Sequence, residues 1–336
     1  MRRGAFSLGR HRARPALRRS LLALIPLVLV ASCGQSDPRP GATASPKATA
    51  TAAPVAPVSA ALTVTDPHGG TFTLKKKPER VVCLTGLCDD ALVELGLTPV
   101  ATTTPALLSR SDYLGAKGAG VPVIPGSFGG EDVAKIAEAK PDLVIGLAGV
   151  HDQLRTAVEK FAPLWVVQVK SYDDSIGYLR ALAQLTDRGR QQAEAESRFR
   201  AKLTEGAARA KAAGLDRTPV LAMYGGTSVG VNTTEDVLGH FLSQFFAYPW
   251  PSKGGGFETA QAYSIEEILA KAPQVIFIQS FGTKVSDHYK DNPVWKRVPA
   301  VSAGRVFEVP TELWASGRGT RAFGIILDEA LAKAAG

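Results

Sequence analysis

The residue types that most often carry chemistry are sparse in this chain and poorly spaced for it. The five histidines, His11, His68, His151, His240 and His288, are scattered, and Cys33, Cys83 and Cys88 do not join them in a tetrahedral metal-ligand pattern. No GxSxG, HExxH or Walker sequence occurs. Gly317-Arg318-Gly319-Thr320-Arg321-Ala322 fits GxGxxA and follows a strand pattern, but the 14 residues after it cannot complete a βαβ unit or supply a ribose-binding acid. Catalysis, a resident cofactor and a protein-held metal are therefore not expected. What the chain does offer is a series of Gly-rich turns interleaved with rings and a few cations: Thr85-Gly86, Phe128, His151, Tyr172, Tyr224, Phe281, and Trp314 with Arg318 and Arg321. Such a set suits a bulky, partly aromatic, anionic ligand, with some of the rings also serving as core.

The elements that must position these residues alternate strand and helix. Residues 62–74 read as a β-hairpin with His68 on its exposed turn. RVVCLTG then reads as a buried strand running into a helix over 89–95, and a helix over 132–139, DLVIGLAG and WVVQV continue the pattern. Residues 190–213, RQQAEAESRFRAKLTEGAARAKAA, form the clearest helix, ~36 Å long at 1.5 Å per residue. Its buried stripe is expected at Ala195, Phe199, Leu203, Ala207 and Ala210, with Glu194/Arg198 and Glu196/Arg200 as i,i+4 pairs elsewhere on its surface. The same grammar returns beyond it: a strand over 219–226, helices over 235–246 and 265–272, VIFIQSFG, GRVFEV and a last helix over 321–334. VAKIAEAKPDLVIGL at 133–147 matches IEEILAKAPQVIFIQ at 265–279 at an offset of 132. The expected fold is two doubly wound α/β lobes, 62–186 and 215–336, joined by a single long helix over 187–214. In such sheets ligands bind beyond the carboxyl ends of the strands, where the quoted turns fall.

The formal charge of +8 suggests nucleic acid until it is located. Seven arginines lie in the first 20 residues with no acid among them, and setting them aside leaves +1 for the rest. Those arginines precede LLALIPLVLV, too short for a membrane span, so residues 1–32 read as a signal peptide. Val30-Ala31-Ser32-Cys33 resembles a lipobox, making Cys33 the expected lipidation site, and the Pro/Ala/Thr-rich stretch 33–61 reads as a flexible tether. Cys83 and Cys88 leave two readings open, a small disulfide loop or two buried thiols.

Residues 62–336 resemble an iron-complex (siderophore) periplasmic binding protein, the class III solute receptor of an ABC importer. The matching stretches are VTDPHGGTFTL…PERVV, ALVELGL, KPDLVIG, LAQLTDRGR, IEEILAKAPQVIFI and NPVWKRVPAVSAGRVFEVP, followed by Trp314 and Leu327-Asp328. CLTGLCDD departs from the Ser-rich turn usual after the first strand. The resemblance implies a lipid-anchored monomer of the cell envelope, outside the cytoplasmic membrane on the periplasmic or extracellular face, which binds a ferric siderophore and delivers it to the permease. Cobalamin and haem are the alternative ligands of the same fold, with His151, Tyr224 and Tyr289 available as axial haem ligands. An envelope hydrolase or oxidoreductase is the reading from a different class. The family also docks through an exposed Glu seven residues before the Pro of the repeated helix-Pro-strand motif. Lobe two has it at Glu266; in lobe one that position is Ala134, and Glu131 is expected to replace it, with Asp132 beside it.

Overall fold

The computed structural model describes residues 54–225, 229–255 and 261–336, so the signal-peptide assignment, Cys33 and most of the tether lie outside the described residues. Strands β1 (Thr63–Thr65) and β2 (Thr71–Thr73) pair as the antiparallel hairpin. Lobe one is built on β3 (Val81–Cys83), β4 (Ala101–Thr102), β7 (Leu143–Leu147) and β8 (Leu164–Val167), all parallel in the order β4-β3-β7-β8. A small hairpin, β5 (Gly126–Ser127) with β6 (Gly130–Glu131), projects beside it. Lobe two uses β9 (Val220–Gly225), β10 (Val229–Val231), β11 (Val275–Ser280) and β12 (Val306–Glu308) in the order β10-β9-β11-β12, with only β10 antiparallel.

The longer helices are α1 (Gly86–Glu94), α2 (Val133–Glu138), α3 (Tyr172–Thr186), α4 (Gly189–Ala212), α5 (Val237–Leu242), α6 (Ile265–Lys271) and α7 (Thr320–Ala335). Strand periodicity explains why lobe one is doubly wound. Val81, Cys83, Leu143 and Ile145 pack in one core with residues of α1 and α3, whereas Val82 and Val144 pack on the opposite face with Ile136 of α2. The internal repeat is real in three dimensions: α2-β7 and α6-β11 correspond. Each repeat places a non-glycine residue in the left-handed region immediately before its proline, Lys140 at φ 48° and Ala272 at φ 48°. That conformation ends the helix and turns the chain into the strand.

The expected linking helix is α4, and its burial differs in detail from the sequence pattern. Ala195, Phe199 and Ala210 are buried and Leu203 partly so, but Ala207 is exposed, and Gly206 takes the inner position because a Cβ there would lie 2.5 Å from Leu327 of α7. Glu196 is not a surface partner of Arg200 alone. Its carboxylate is buried and accepts from Arg180 of α3, Arg200 and Gln192. Arg198 reaches across to Glu94 of α1 at 2.7 Å. The end of the expected tether also belongs to the folded body: the Val58 N–H donates to Gln192 Oε1 and the Ala61 N–H to the Gln184 carbonyl, at 3.2 and 3.1 Å.

Cys83 at the end of β3 and Cys88 in the first turn of α1 form a disulfide with Cα atoms 5.4 Å apart. The bridge closes a short loop containing Leu84, Thr85 and Gly86. Replacing both cysteines by Ala is expected to lower the unfolding free energy by about 2 kcal/mol, the chain-entropy value for so short a loop. Urea unfolding of the double variant beside the oxidised wild type measures it, and an unshifted midpoint would mean that packing alone holds this turn.

Candidate functional site

The carboxyl ends of β3 and β7 face those of β9 and β11 across a cavity of about 590 Å³. A shallower depression of about 860 Å³ lies on lobe one, against Phe72, Asp142 and Trp165. It sits toward the amino ends of β7 and β8, away from the carboxyl ends where ligands of such sheets bind. The interlobe cleft is therefore the candidate site.

Seven of the ten expected ligand residues line this cleft: Thr85, Gly86, Phe128, Tyr224, Phe281, Trp314 and Arg318. Thr85 is the N-cap residue of α1, and Gly86 lies so close to the opposite wall that a Cβ would sit 2.2 Å from the Ser316 carbonyl oxygen. Phe128, on the tip of the β5-β6 hairpin, is 72% exposed, and Phe281, just past β11, is 52% exposed. Two largely exposed rings facing a cleft are what a bulky ligand would cover. Trp314 is mainly core. Its ring packs on Phe277 at 4.9 Å and its indole N–H donates to Glu329, so it offers the cleft little more than an edge.

Three expected residues are elsewhere. His151 is fully buried behind the cleft wall, with Nδ1 accepting from the Leu147 N–H at 2.7 Å and Nε2 3.1 Å from Glu131 Oε1. Tyr172 opens α3 and packs against Phe199 and Phe241, joining the lobes behind the cleft. Arg321 turns toward lobe one, 3.1 Å from Glu94 and donating to the Asp112 carbonyl at 2.9 Å. The Glu131 docking expectation is also overturned. Its side chain is only 4% exposed, it lines the cleft, and it accepts from the Gly129 N–H, so a permease cannot meet it. The hairpin that aims Glu131 inward is too short for periodicity to reveal. Glu266 does stand exposed on α6, while Asp132 is exposed with its carboxylate capping α2.

Sequence reading missed Asn232, Asp236 and Gln279, which form one polar wall. Gln279 donates to Asn232 Oδ1 at 2.7 Å; the Asn232 amide and the Thr233 and Gly239 N–H groups donate to Asp236, the N-cap of α5. A glutamine at the end of the otherwise apolar VIFIQ was the available signal. Burial pushes the Asp236 carboxyl up to about 6. Arg318 is only partly exposed, and burial pulls its guanidinium below its usual value, opposed by the charge of Asp236. Its backbone is pinned by Ser175 Oγ, which donates to its carbonyl at 2.6 Å.

A family model described as "Periplasmic binding protein" matches residues 81–313. The chain belongs to that family. Among its relatives, Fe(3+)-citrate-binding protein YfmC of Bacillus subtilis (strain 168) is 26% identical over 274 residues, 77% of this chain and 81% of the relative. The Fe(3+) dicitrate-binding periplasmic protein FecB of Escherichia coli (strain K12) is 22% identical over 278 residues, 77% of this chain and 85% of the relative. The same fold is seen in FeuA from Bacillus subtilis, solved with Ferri-Bacillibactin, at a TM-score of 0.66 and 16% identity over 81% of this chain and 97% of that one. As a family member this binding protein is a solute receptor, not an enzyme. Among the described residues no group of three His, Cys, Asp or Glu side chains could hold a metal ion.

The floor of the cleft in this binding protein rests on two buried aspartates of α1. Asp90 caps α7 from the other lobe, accepting from the Arg321 N–H at 3.1 Å and the Ala322 N–H at 2.8 Å, and also from the Tyr113 hydroxyl at 2.7 Å. Gly319 allows this, since a Cβ there would lie 2.0 Å from the Asp90 carboxylate. Gly317 and Gly319 are thus packing glycines and not a dinucleotide motif. Burial pushes Asp90 up to about 6, with the charge of Glu94 adding to the effect. Asp89 accepts from Thr102 at 2.7 Å and from Thr104, while its Oδ1 has no partner, and burial pushes it from 3.8 up to about 7. A carboxyl raised on folding keeps its proton in the native state where the unfolded chain has lost it. Stability from Asp89 is therefore present at acid pH and falls by about 1.4 kcal/mol per pH unit as pH rises between the unfolded and folded values. Asp89→Asn should make the decline in unfolding free energy between about pH 4 and 7 shallower, leaving the shares of Asp90 and Asp236, and exceed wild-type stability at pH 8; parallel pH profiles would assign the slope to those two carboxyls.

Proposed function

We infer that this binding protein captures a ferric siderophore in the interlobe cleft and delivers it to the permease of an ABC importer. The observation that carries this reading is a cleft at the carboxyl ends of both sheets, with exposed Phe128 and Phe281 and the cation Arg318 on its walls, in a chain of this family. Relatives named for Fe(3+)-citrate and a probable siderophore-binding lipoprotein, YfiY of Bacillus subtilis (strain 168), point to the same cargo. The iron arrives already chelated, so the protein needs to recognise the chelate's outer surface and not the metal. The names of relatives also agree with a site of action outside the cytoplasm and with lipid attachment at Cys33. Of the three residues available as axial haem ligands, only Tyr224 lines the cleft. His151 has both ring nitrogens engaged, and Tyr289 packs against Trp295 away from the cleft lining.

Titrating the purified protein with ferric siderophores, cobalamin and hemin while following tryptophan fluorescence tests the cargo. Saturable quenching by a ferric siderophore at one equivalent is expected; saturation by cobalamin or hemin alone would replace the reading. Arg318→Ala should weaken the ferric complex by about 2 kcal/mol, because it removes a charge-assisted contact in a partly desolvated site. Arg321→Ala should leave affinity unchanged.

Docking through lobe two is proposed at Glu266, whose neighbour Glu267 is already committed to Lys253 and to the N-terminus of α6. Glu266→Lys should preserve ligand affinity and reduce stimulation of the permease ATPase, since rim charges govern association and register. Full stimulation by this variant would remove Glu266 from the docking surface.

A further inference from the structure

The charge of the cleft wall departs from what an anionic chelate would require. Among the described lining residues the charged groups are Glu131 on lobe one and Asp236 and Arg318 on lobe two, with no lysine or histidine. Arg321, which would have balanced the count, is drawn away to Glu94 and the Asp112 carbonyl. Arg318 makes no salt bridge among the described residues, so it is available to anionic oxygens of a ligand.

Glu131 supplies the opposite requirement. His151 Nδ1 accepts from the Leu147 N–H, so the ring proton is on Nε2 and is donated to Glu131 Oε1, which also accepts from the Gly129 N–H at 3.0 Å. One oxygen is thereby saturated within lobe one. The other, Oε2, is shut off from water and has no hydrogen-bond partner. A buried carboxylate oxygen without a donor is costly, and a cationic N–H that meets it through a small turn of the Glu131 side chain, which lines the cleft, relieves that cost. Beside it, the exposed ring of Phe128 meets His151 edge-on at 5.7 Å, leaving an aromatic face that also favours a cation.

We propose that the cleft selects a ferric chelate of neutral or positive net charge bearing an ammonium group, with Glu131 and Phe128 receiving the ammonium on lobe one and Arg318 facing the iron-bound oxygens on lobe two. This rests on the reading that the cleft takes a ferric siderophore, and it names the chemical class. Glu131 is on this account a specificity residue, and His151 a positioning residue that fixes which carboxylate oxygen remains for the ligand. Highly anionic ferric catecholates and citrates meet two carboxylates for one arginine and bind less well.

The test compares four ferric complexes by fluorescence titration of the purified protein: a linear tris-hydroxamate with a terminal ammonium, the same chelate N-acetylated, a tris-catecholate, and dicitrate. Wild type is expected to bind the ammonium form about tenfold or more tighter than the acetylated form, the scale of one charge-assisted hydrogen bond. Glu131→Gln, which keeps an acceptor for the His151 and Gly129 N–H groups, should bind the two hydroxamates equally. The ligand-side comparison uses the wild-type protein and so does not depend on how the variant folds. Equal binding of both hydroxamates by wild type, or tightest binding of the catecholate or dicitrate, overturns the charge assignment and leaves siderophore capture standing. A tenfold preference retained by a folded Glu131→Gln removes Glu131 as its reader. If no ferric complex binds, both readings fall.

Discussion

The carboxylate of Asp90 is the contact on which the rest of the site depends. It belongs to the first helix of lobe one and caps the last helix of the chain, two backbone N–H groups at once. A helix N-terminus concentrates unsatisfied donors and partial positive charge, so a buried carboxylate there gains both hydrogen bonds and field. The bond locks α1 against α7, and α7 in turn packs along the linking helix through Leu327 over Gly206. Bulk at position 319 would break it, since any side chain would collide with Asp90.

From that anchor the cleft follows. Arg318 lies one residue before the cap, its carbonyl is held by Ser175 of α3, and Ser316 abuts Gly86 on the other wall. The disulfide fixes the far end of the same turn, so Thr85 and Gly86 are held by a covalent bridge on one side and interlobe packing on the other. A receptor must hold its walls at a set spacing without a ligand, because ordering them on binding would subtract from affinity.

The same anchoring redistributes charge. Two arginines near the start of α7 resemble a paired anion clamp in one dimension. In three dimensions Arg318 lies outside the helix, before the extended N-cap Gly319, and faces the cleft, while Arg321 in the first turn meets Glu94 and lies over Tyr113 at 5.7 Å. Glu131 moves the other way, from an expected surface acid to a buried wall group, because the two-residue strand β6 carries it inward against His151.

The alternation of strand and helix, the long helix, the repeated helix-Pro-strand unit and the turns that ring the cleft are legible in the amino-acid order alone. These follow from periodicity and from Gly and Pro placement, which are local properties of the chain. Tertiary packing separates the exposed rings from the core rings: Phe128 and Phe281 stay exposed, whereas Trp314 and Tyr172 are absorbed by packing that involves residues far away in the chain. It also decided the disulfide, since a spacing of five permits a bridge but only the sharp exit from β3 into α1 brings the two Cα atoms to 5.4 Å. Above all it decided the sign of the cleft, because the charge a ligand meets depends on where each ionisable group points and which partner neutralises it.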